Sequence, residues 1–323
     1  MKIAVIDDYQ DAFRTLACYA RLKDHEVIVY TDTEKDPARL AARLDADAVV
    51  LTQQRSPFPR AVIEKLPARL KLITQTGRHS THIDVAACTE RGIAVAAAGT
   101  GNSNSTAELA WGLIISSMRH LPFEVQQLKA GKWQTTLGTG LFGKMLGVYA
   151  PGKIGSIVAQ VGKAFGMKVT CWGRAASQAK ARAAGYEVPA SREAFFENAD
   201  VISLHLPLLK ETRGIVTAAD LAHMKPTALI VNTSRAPLIG EGVLAEALRK
   251  GRPGYAAVDV FEDEPVVGGH ALLKMPNAVC TPHLGYVVQS TYELYYATVI
   301  DSILAYASGK PANVINPEAL SGK

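Results

Sequence analysis

Short apolar runs recur along the chain, and the stretches between them carry apolar positions at helical spacing. KIAVIDD (2–8), HEVIVYTD (25–32), DAVVLTQQR (47–55), LKLITQTG (70–77) and IAVAAAG (93–99) each have the length and β-branched content of one strand. Helix-like stretches lie at 39–44 and 82–92. The pattern then restarts. LGVYA (146–150), MKVTCW (167–172), ADVISLHLPL (199–208), ALIVNTSR (228–235), YAAVDVF (255–261) and AVCTPHLG (278–285) read as a second series of strands. Strands alternating with helices predict two doubly wound, parallel α/β domains.

Two helical segments stand outside this alternation. Residues 105–133 are predicted as one long helix capped by Ser105, with Glu108 three residues later completing a capping box. Residues 289–304 are helical with no following strand, so this segment is expected to return to the first domain.

The stretch 147–174, GVYAPGKIGSIVAQVGKAFGMKVTCWGR, combines strand, glycine turn, helix and strand. Ile154, Ile157, Val158, Val161 and Phe165 share one face of the helix. The turn fits the dinucleotide fingerprint G-x-G-x-x-G over 150–155, with Gly152 and Gly155 present and Ala150 in place of the first glycine. Gly152 lets the backbone approach a diphosphate, Gly155 lets the helix pack on the sheet, and the helix N-terminus offers unpaired N–H groups. The acid that holds a ribose 2′-hydroxyl is expected about 20 residues on. Gly173 occupies that place and Arg174 follows, so the reading favours NADP over NAD, with a solvated Arg174 and bound NAD as the alternative.

Composition narrows the partners. The chain has 323 residues, 48% of them hydrophobic, with a formal charge of +5. Lysines and arginines are scattered, without a basic block, which argues against nucleic acid and suits small anionic substrates. The four cysteines, Cys18, Cys88, Cys171 and Cys280, are far apart, so no disulfide framework or metal site is expected and a cytoplasmic setting is. The N-terminus reads as a strand, and no apolar run reaches the roughly 18 residues of a membrane span.

Ligands of doubly wound sheets bind beyond the carboxyl ends of the strands. Reactive residues there are His205, Arg235, Asp259 with Glu264 beyond it, and His283. Arginine, carboxylate and histidine at neighbouring strand ends form the set that reduces a 2-oxo acid: arginine pairs with the substrate carboxylate, histidine donates a proton to the carbonyl oxygen, and the carboxylate orients the histidine. On residue chemistry alone His283 also reads as a capped loop histidine after Pro282, and His205 as a histidine packed under the site.

With these segments on the page, the chain resembles the D-isomer-specific 2-hydroxy acid dehydrogenases over nearly its whole length. The resemblance is carried by GKMLGVYAPGKIG, DVISLHLPL, MKPTALIVNTSRAPLI, AAVDVFEDEP and TPHLG in that order. It implies a Rossmann cofactor domain (101–288) inserted into a flavodoxin-like substrate domain (1–100 and 289–323), with a cleft that closes over the substrate. It also implies a homodimer. In its terms Arg235 binds the substrate carboxylate and carbonyl, His283 is the acid/base and Glu264 its partner. Gly152, Lys153, Ile154 and Gly155 hold the diphosphate. Thr106 matches a residue of the cofactor cleft and Asp259 the position near the nicotinamide carboxamide, and Gly173 replaces the family's usual acid; with it Arg174, His205 and Thr233 are this sequence's further cofactor candidates. The segment GRHSTHID (77–84) stands at the substrate loop, and Arg55, Ser56, Arg78 and His79 are candidate substrate contacts. Arg78 and His79 replace small residues of the family pattern, and Ala236 follows Arg235 where glycine is common. Tyr286 is a further candidate for shaping the pocket. Formate oxidation is disfavoured, because such members pair the histidine with glutamine. A dinucleotide-sensing, corepressor-like protein remains the alternative from another class.

Overall fold

In this computed structural model, residues 1–321 are described. In chain order the elements are β1 (Lys2–Ile6), β2 (Glu26–Val29), α1 (Pro37–Arg43), β3 (Ala48–Leu51), α2 (Arg60–Ile63), β4 (Leu72–Thr76), α3 (Val85–Glu90), β5 (Ala94–Ala98), α4 (Ser103–Met118), α5 (Leu121–Lys129), β6 (Met145–Tyr149), α6 (Lys153–Ala164), β7 (Lys168–Trp172), α7 (Ala175–Ala183), α8 (Arg192–Asn198), β8 (Val201–Leu204), α9 (Ala218–His223), β9 (Leu229–Asn232), α10 (Val243–Arg249), β10 (Tyr255–Val258), β11 (Ala278–Cys280) and α11 (Gln289–Ala307). The chain divides into two compact units: Met1–Asn102 with the segment from Val288 onward, and Ser103–Val287. The expected substrate domain ran to 323, and its last two residues lie outside the described ones.

The first unit is a five-stranded sheet in the order β2-β1-β3-β4-β5, all neighbours parallel. This is the flavodoxin-like doubly wound order. Ala4, Ile6, Val49, Leu51, Ile73 and Val95 form its core with Leu40, Phe58 and Ile63. The helix α11 belongs here. Its Tyr296 packs 4.8 Å from Phe13, ring centre to ring centre, and its hydroxyl lies 2.8 Å from Thr52 Oγ1. Glu293 Oε1 accepts the amide of Ala17 at 2.5 Å.

The second unit is a six-stranded parallel sheet in the order β11-β10-β9-β8-β6-β7. A parallel bridge between Thr170 and Glu187 adds a rudimentary strand beside β7. The chain runs outward from β6 to β7, then resumes at β8 on the other side of β6. The strand order therefore reverses between β6 and β8, which places the ligand crevice at their carboxyl ends. Helix α6 turns Gly155, Val158, Ala159 and Gly162 inward, and a Cβ on Gly162 would stand 2.5 Å from Leu146 Cδ2. Small residues at this spacing let the helix lie close on the sheet.

The segment 105–133 departs from the expected single helix. It is two helices, broken at His120, whose φ of 52° is left-handed, and Pro122 sits in the first turn of α5. The first of them starts at Ser103, so Ser105 is a buried residue inside the helix and not its cap. The two halves differ in packing: α4 lies on β9 and β10, while α5 buries none of its residues.

Candidate active site and cofactor turn

The turn after β6 is built around two backbone facts. Ala150 takes a left-handed φ of 64°, and its carbonyl accepts the amide of Gly152 at 2.7 Å. Gly155 then starts its close approach: a Cβ there would meet Ala150 O at 2.9 Å, Val148 Cγ1 at 3.1 Å and His205 Cδ2 at 3.2 Å. Glycine at 155 is therefore required by the protein's own packing. Gly152 is different, because a Cβ there meets nothing within 4 Å and its φ of −79° suits any residue. The missing side chain leaves open space over the N-terminus of α6, where no side chain caps the helix. Lys153 is exposed on the first turn and Ile154 packs partly into the core.

Beside this turn lies a cavity of 390 Å³ lined by Tyr149, Ala150, Trp172, Gly173, Arg174, Ser177, Arg192 and the loop residues Leu206, Pro207, Leu209 and Thr212. A Cβ on Gly173 would stand 3.0 Å from Ser177 Cβ, so a side chain at 173 would need Ser177 to give by a few tenths of an ångström. Arg174 is the N-cap of α7 and its NH2 lies 3.6 Å from Glu211 Oε1. Arg192 is fixed in the cavity wall: Nε and NH2 each donate to an Asp220 oxygen at 2.7 Å. At the adjacent strand end His205 Nε2 lies 2.9 Å from Ser203 Oγ, and burial pushes its imidazole down to about 4, so it is neutral. Thr233, after β9, has a buried hydroxyl with no hydrogen-bond partner among the described residues. Open space over an uncapped helix N-terminus, the cavity beside it and an orphaned buried hydroxyl all fit a dinucleotide.

Three neighbouring strands carry the chemistry. Arg235 follows β9, where Asn232 holds the turn: its Nδ2 donates to Arg235 O at 2.9 Å and its Oδ1 accepts from Ser234 N at 3.0 Å. Arg235 NH1 donates to Ser234 O at 2.7 Å. Glu264 follows β10 and His283 follows β11, and Nδ1 of His283 is 2.7 Å from Glu264 Oε2. Glu264 Oε1 accepts the amide of Phe261 at 2.9 Å, which fixes the carboxylate from its other side. His283 is itself left-handed, with φ 53°. Tyr286 stands edge-on to the His283 ring, centroids 5.7 Å apart.

Asp259 ends β10 and faces the loop that carries His283. It is fully buried, and both its oxygens are engaged by the loop that carries His283. Thr281 Oγ1 and the amide of Leu284 donate to Oδ1 at 2.6 and 2.7 Å, and the amide of Gly285 donates to Oδ2 at 2.9 Å. Burial raises its pKa, against the pull of these donors and of His283. Asp259 thus ties the loop 281–285 to the end of β10. Thr106 Oγ1 donates to Gly285 O at 2.9 Å and completes the clamp. Asn232 and Thr281 went unnoticed in the sequence; their signal is a small polar residue at or just past the end of an otherwise apolar strand.

In the first unit the candidates lie past the carboxyl ends of β3 and β4. Arg55 is half-buried, Ser56 is buried, and Arg78 and His79 are exposed. In the same loop both ring nitrogens of His82 are buried without a partner among the described residues, and burial lowers its pKa to about 4. Among the described residues no cluster of three or more His, Cys, Asp or Glu could hold a metal, and no helix is long and apolar enough to cross a membrane.

A parallel sheet with a glycine turn at its switch point defines a dinucleotide-binding α/β protein. Comparison with known proteins gives the family. Residues 111–285 match the D-isomer specific 2-hydroxyacid dehydrogenase, NAD binding domain. A D-3-phosphoglycerate dehydrogenase of Methanocaldococcus jannaschii is 36% identical over 320 residues, 98% of this chain and 59% of that one. A glyoxylate reductase of Aeropyrum pernix is 34% identical, with 78% of each chain covered. A solved structure from Ralstonia solanacearum, assigned as a D-3-phosphoglycerate dehydrogenase oxidoreductase, superposes with a TM-score of 0.95 at 47% identity, covering 99% of this chain and 98% of that one. The chain therefore belongs to the D-isomer specific 2-hydroxyacid dehydrogenase family, and it spans about three-fifths of the length of the Methanocaldococcus relative.

Proposed function

We propose that the protein interconverts a small 2-oxo acid and its D-2-hydroxy acid with a nicotinamide cofactor, acting as a reductase with NADPH. The observation that carries this reading is the 2.7 Å contact between His283 and Glu264 on strand ends next to that of Arg235. The cofactor supplies the hydride. Arg235 pairs with the substrate carboxylate and polarises the carbonyl. His283, with Nδ1 held by Glu264, donates its Nε2 proton to the carbonyl oxygen and takes it back in the oxidative direction. Asp259 and Thr106 hold the loop that carries His283. Gly152, Lys153, Ile154 and Gly155 cradle the diphosphate, with His205 and Thr233 beside it. Arg55, Ser56, Arg78 and His79 are the candidate residues for substrate choice. The glyoxylate and phosphoglycerate names of the relatives bound the range of acids to test.

The choice of NADP rests on Gly173 and Arg174. Ser177 sits where an acid at 173 would need room, and Arg174 offers a guanidinium to a 2′-phosphate. A homodimer is supported by α5 and the segment after it, where Leu121, Phe123, Val125, Leu128, Trp133, Leu137 and Phe142 are all exposed. A patch of that size is normally covered, and a second copy is the occupant we propose. The four unbridged cysteines suit the cytoplasm.

The test is turnover of glyoxylate, hydroxypyruvate, pyruvate and bulkier 2-oxo acids with NADPH and NADH, beside His283→Ala. Absence of turnover with every acid, with cofactor still bound, would leave a dinucleotide sensor. For the dimer, sedimentation of Trp133→Ser/Leu137→Ser against wild type decides: two copies in wild type and one in the variant are expected, and a monomeric wild type refutes it.

A further inference from the structure

Where this fold usually keeps an acid, the cavity beside the cofactor turn has Gly173, and the loop after β8 that lines the same cavity carries an acid, Glu211, outside the lining. One wall is the end of β7 and the start of α7, with Gly173, Arg174 and Ser177. The other is the loop after β8, with Leu206, Pro207, Leu209 and Thr212. Glu211 belongs to that loop, and its Oε1 lies 3.6 Å from Arg174 NH2. Both side chains are largely exposed, 63% for Glu211 and 67% for Arg174, so the pair faces solvent; Arg174 lines the cavity and Glu211 reaches it from outside the lining.

The loop presents Glu211 from a fixed backbone. Thr212 Oγ1 donates to Pro207 O at 2.7 Å and accepts the amide of Leu209 at 2.7 Å, which closes the loop on itself. Arg192, the cavity's second arginine, is committed to both oxygens of Asp220 and to the carbonyl of Ile215. Glu211 therefore meets Arg174, the cavity arginine on which the 2′-phosphate reading rests.

We infer that Glu211 sets the cofactor preference by holding Arg174 until a 2′-phosphate takes its place. This rests on the reading of Arg174 given above. An exposed ion pair is weak and salt-sensitive. A phosphate monoester brings up to two charges and three acceptor oxygens, so it displaces one carboxylate from the guanidinium. The displaced carboxylate then remains as a nearby negative charge that taxes the phosphorylated cofactor and leaves the unphosphorylated one alone. Discrimination is thus a competition for one guanidinium, and not a property of Arg174 by itself.

The experiment is equilibrium titration of NADP⁺ and NAD⁺, followed by quenching of Trp172, which lines the cavity. It compares wild type, Glu211→Gln, Arg174→Ala and the double variant. Glu211→Gln is expected to tighten NADP⁺ roughly three- to tenfold at low salt and to leave NAD⁺ within about twofold, with the gain shrinking as salt rises. In the Arg174→Ala background the gain should fall to within about twofold, because the competition is gone. If Arg174→Ala weakens NADP⁺ selectively and Glu211→Gln changes neither cofactor, or both alike, the inference about Glu211 fails alone. A gain that persists without Arg174 also overturns it. If Arg174→Ala loses both cofactors equally, the Arg174 reading falls and takes this one with it.

Discussion

Nδ1 of His283 stands 2.7 Å from Oε2 of Glu264, and the second oxygen of that carboxylate is tied to the amide of Phe261. The carboxylate thus has no rotation to spare, and the imidazole inherits its orientation. Glu264→Gln keeps the shape but offers an amide whose NH2 group competes with its oxygen for Nδ1. It should lower kcat/KM by roughly 10- to 1000-fold while leaving cofactor affinity unchanged. His283→Ala should cost at least as much, and the double variant no more than the worse single one. Additive losses in kcat/KM would show that the two residues do not act as a unit.

Asp259 gives both oxygens to the loop that carries His283. Asp259→Asn leaves one acceptor oxygen and turns an NH2 group toward a backbone donor. Stability should fall by about 1–3 kcal/mol, the cost of a buried unsatisfied group. Because the displaced loop holds the left-handed His283, kcat should fall with it. A variant with lowered melting temperature and wild-type kcat would mean that the clamp does not position the histidine.

Ala150 occupies a left-handed backbone position that disfavours a Cβ. Ala150→Gly should stabilise the protein by up to about 1 kcal/mol, the relief of the Cβ clash less the added freedom of the unfolded chain. Ala150→Val should destabilise it, since a branched side chain fits this region worse. Chemical denaturation of the three proteins is the check, and a destabilised glycine variant would refute the account of strain.

His205 and His82 have pKa values pushed down by burial to about 4, from an ordinary 6.5. Between those values the unfolded chain takes up protons that the folded chain refuses, so stability rises with pH through that window and is complete above it. At pH 5 the loss should be on the order of 2 kcal/mol per histidine. Denaturant midpoints at pH 5 and pH 7.5 measure it, with a His82→Gln/His205→Asn variant as the control. If the control keeps the wild-type difference, other groups cause it.

The two sheets and their carboxyl edges were legible in the sequence because parallel strands buried on both faces leave unbroken apolar runs with turns between them. VISL, LIVN and YAAV are strands at the places the runs indicated. The break at His120 was not legible, since both halves of 105–133 have helical spacing and the left-handed residue between them is a histidine and not a glycine. Ser105 looked like a cap because a capping box is a local pattern, whereas α4 already starts at Ser103. The roles of Asp259 and Glu211 depend on loops distant in sequence, the first on 281–285 and the second on Arg174, and no spacing rule reaches that far.

The helix α11 follows the second unit in the chain and completes the first: its Tyr296 meets Phe13, and its Glu293 holds Ala17. During synthesis the strands β1 to β5 leave the ribosome first but lack this helix until Ser103–Val287 has followed them. At ordinary translation speeds that is a wait of roughly ten to forty seconds. A nascent chain thus holds one sheet with an uncovered apolar face while the next is being completed, and the moment at which the first closes is set by the length of the segment inserted into it.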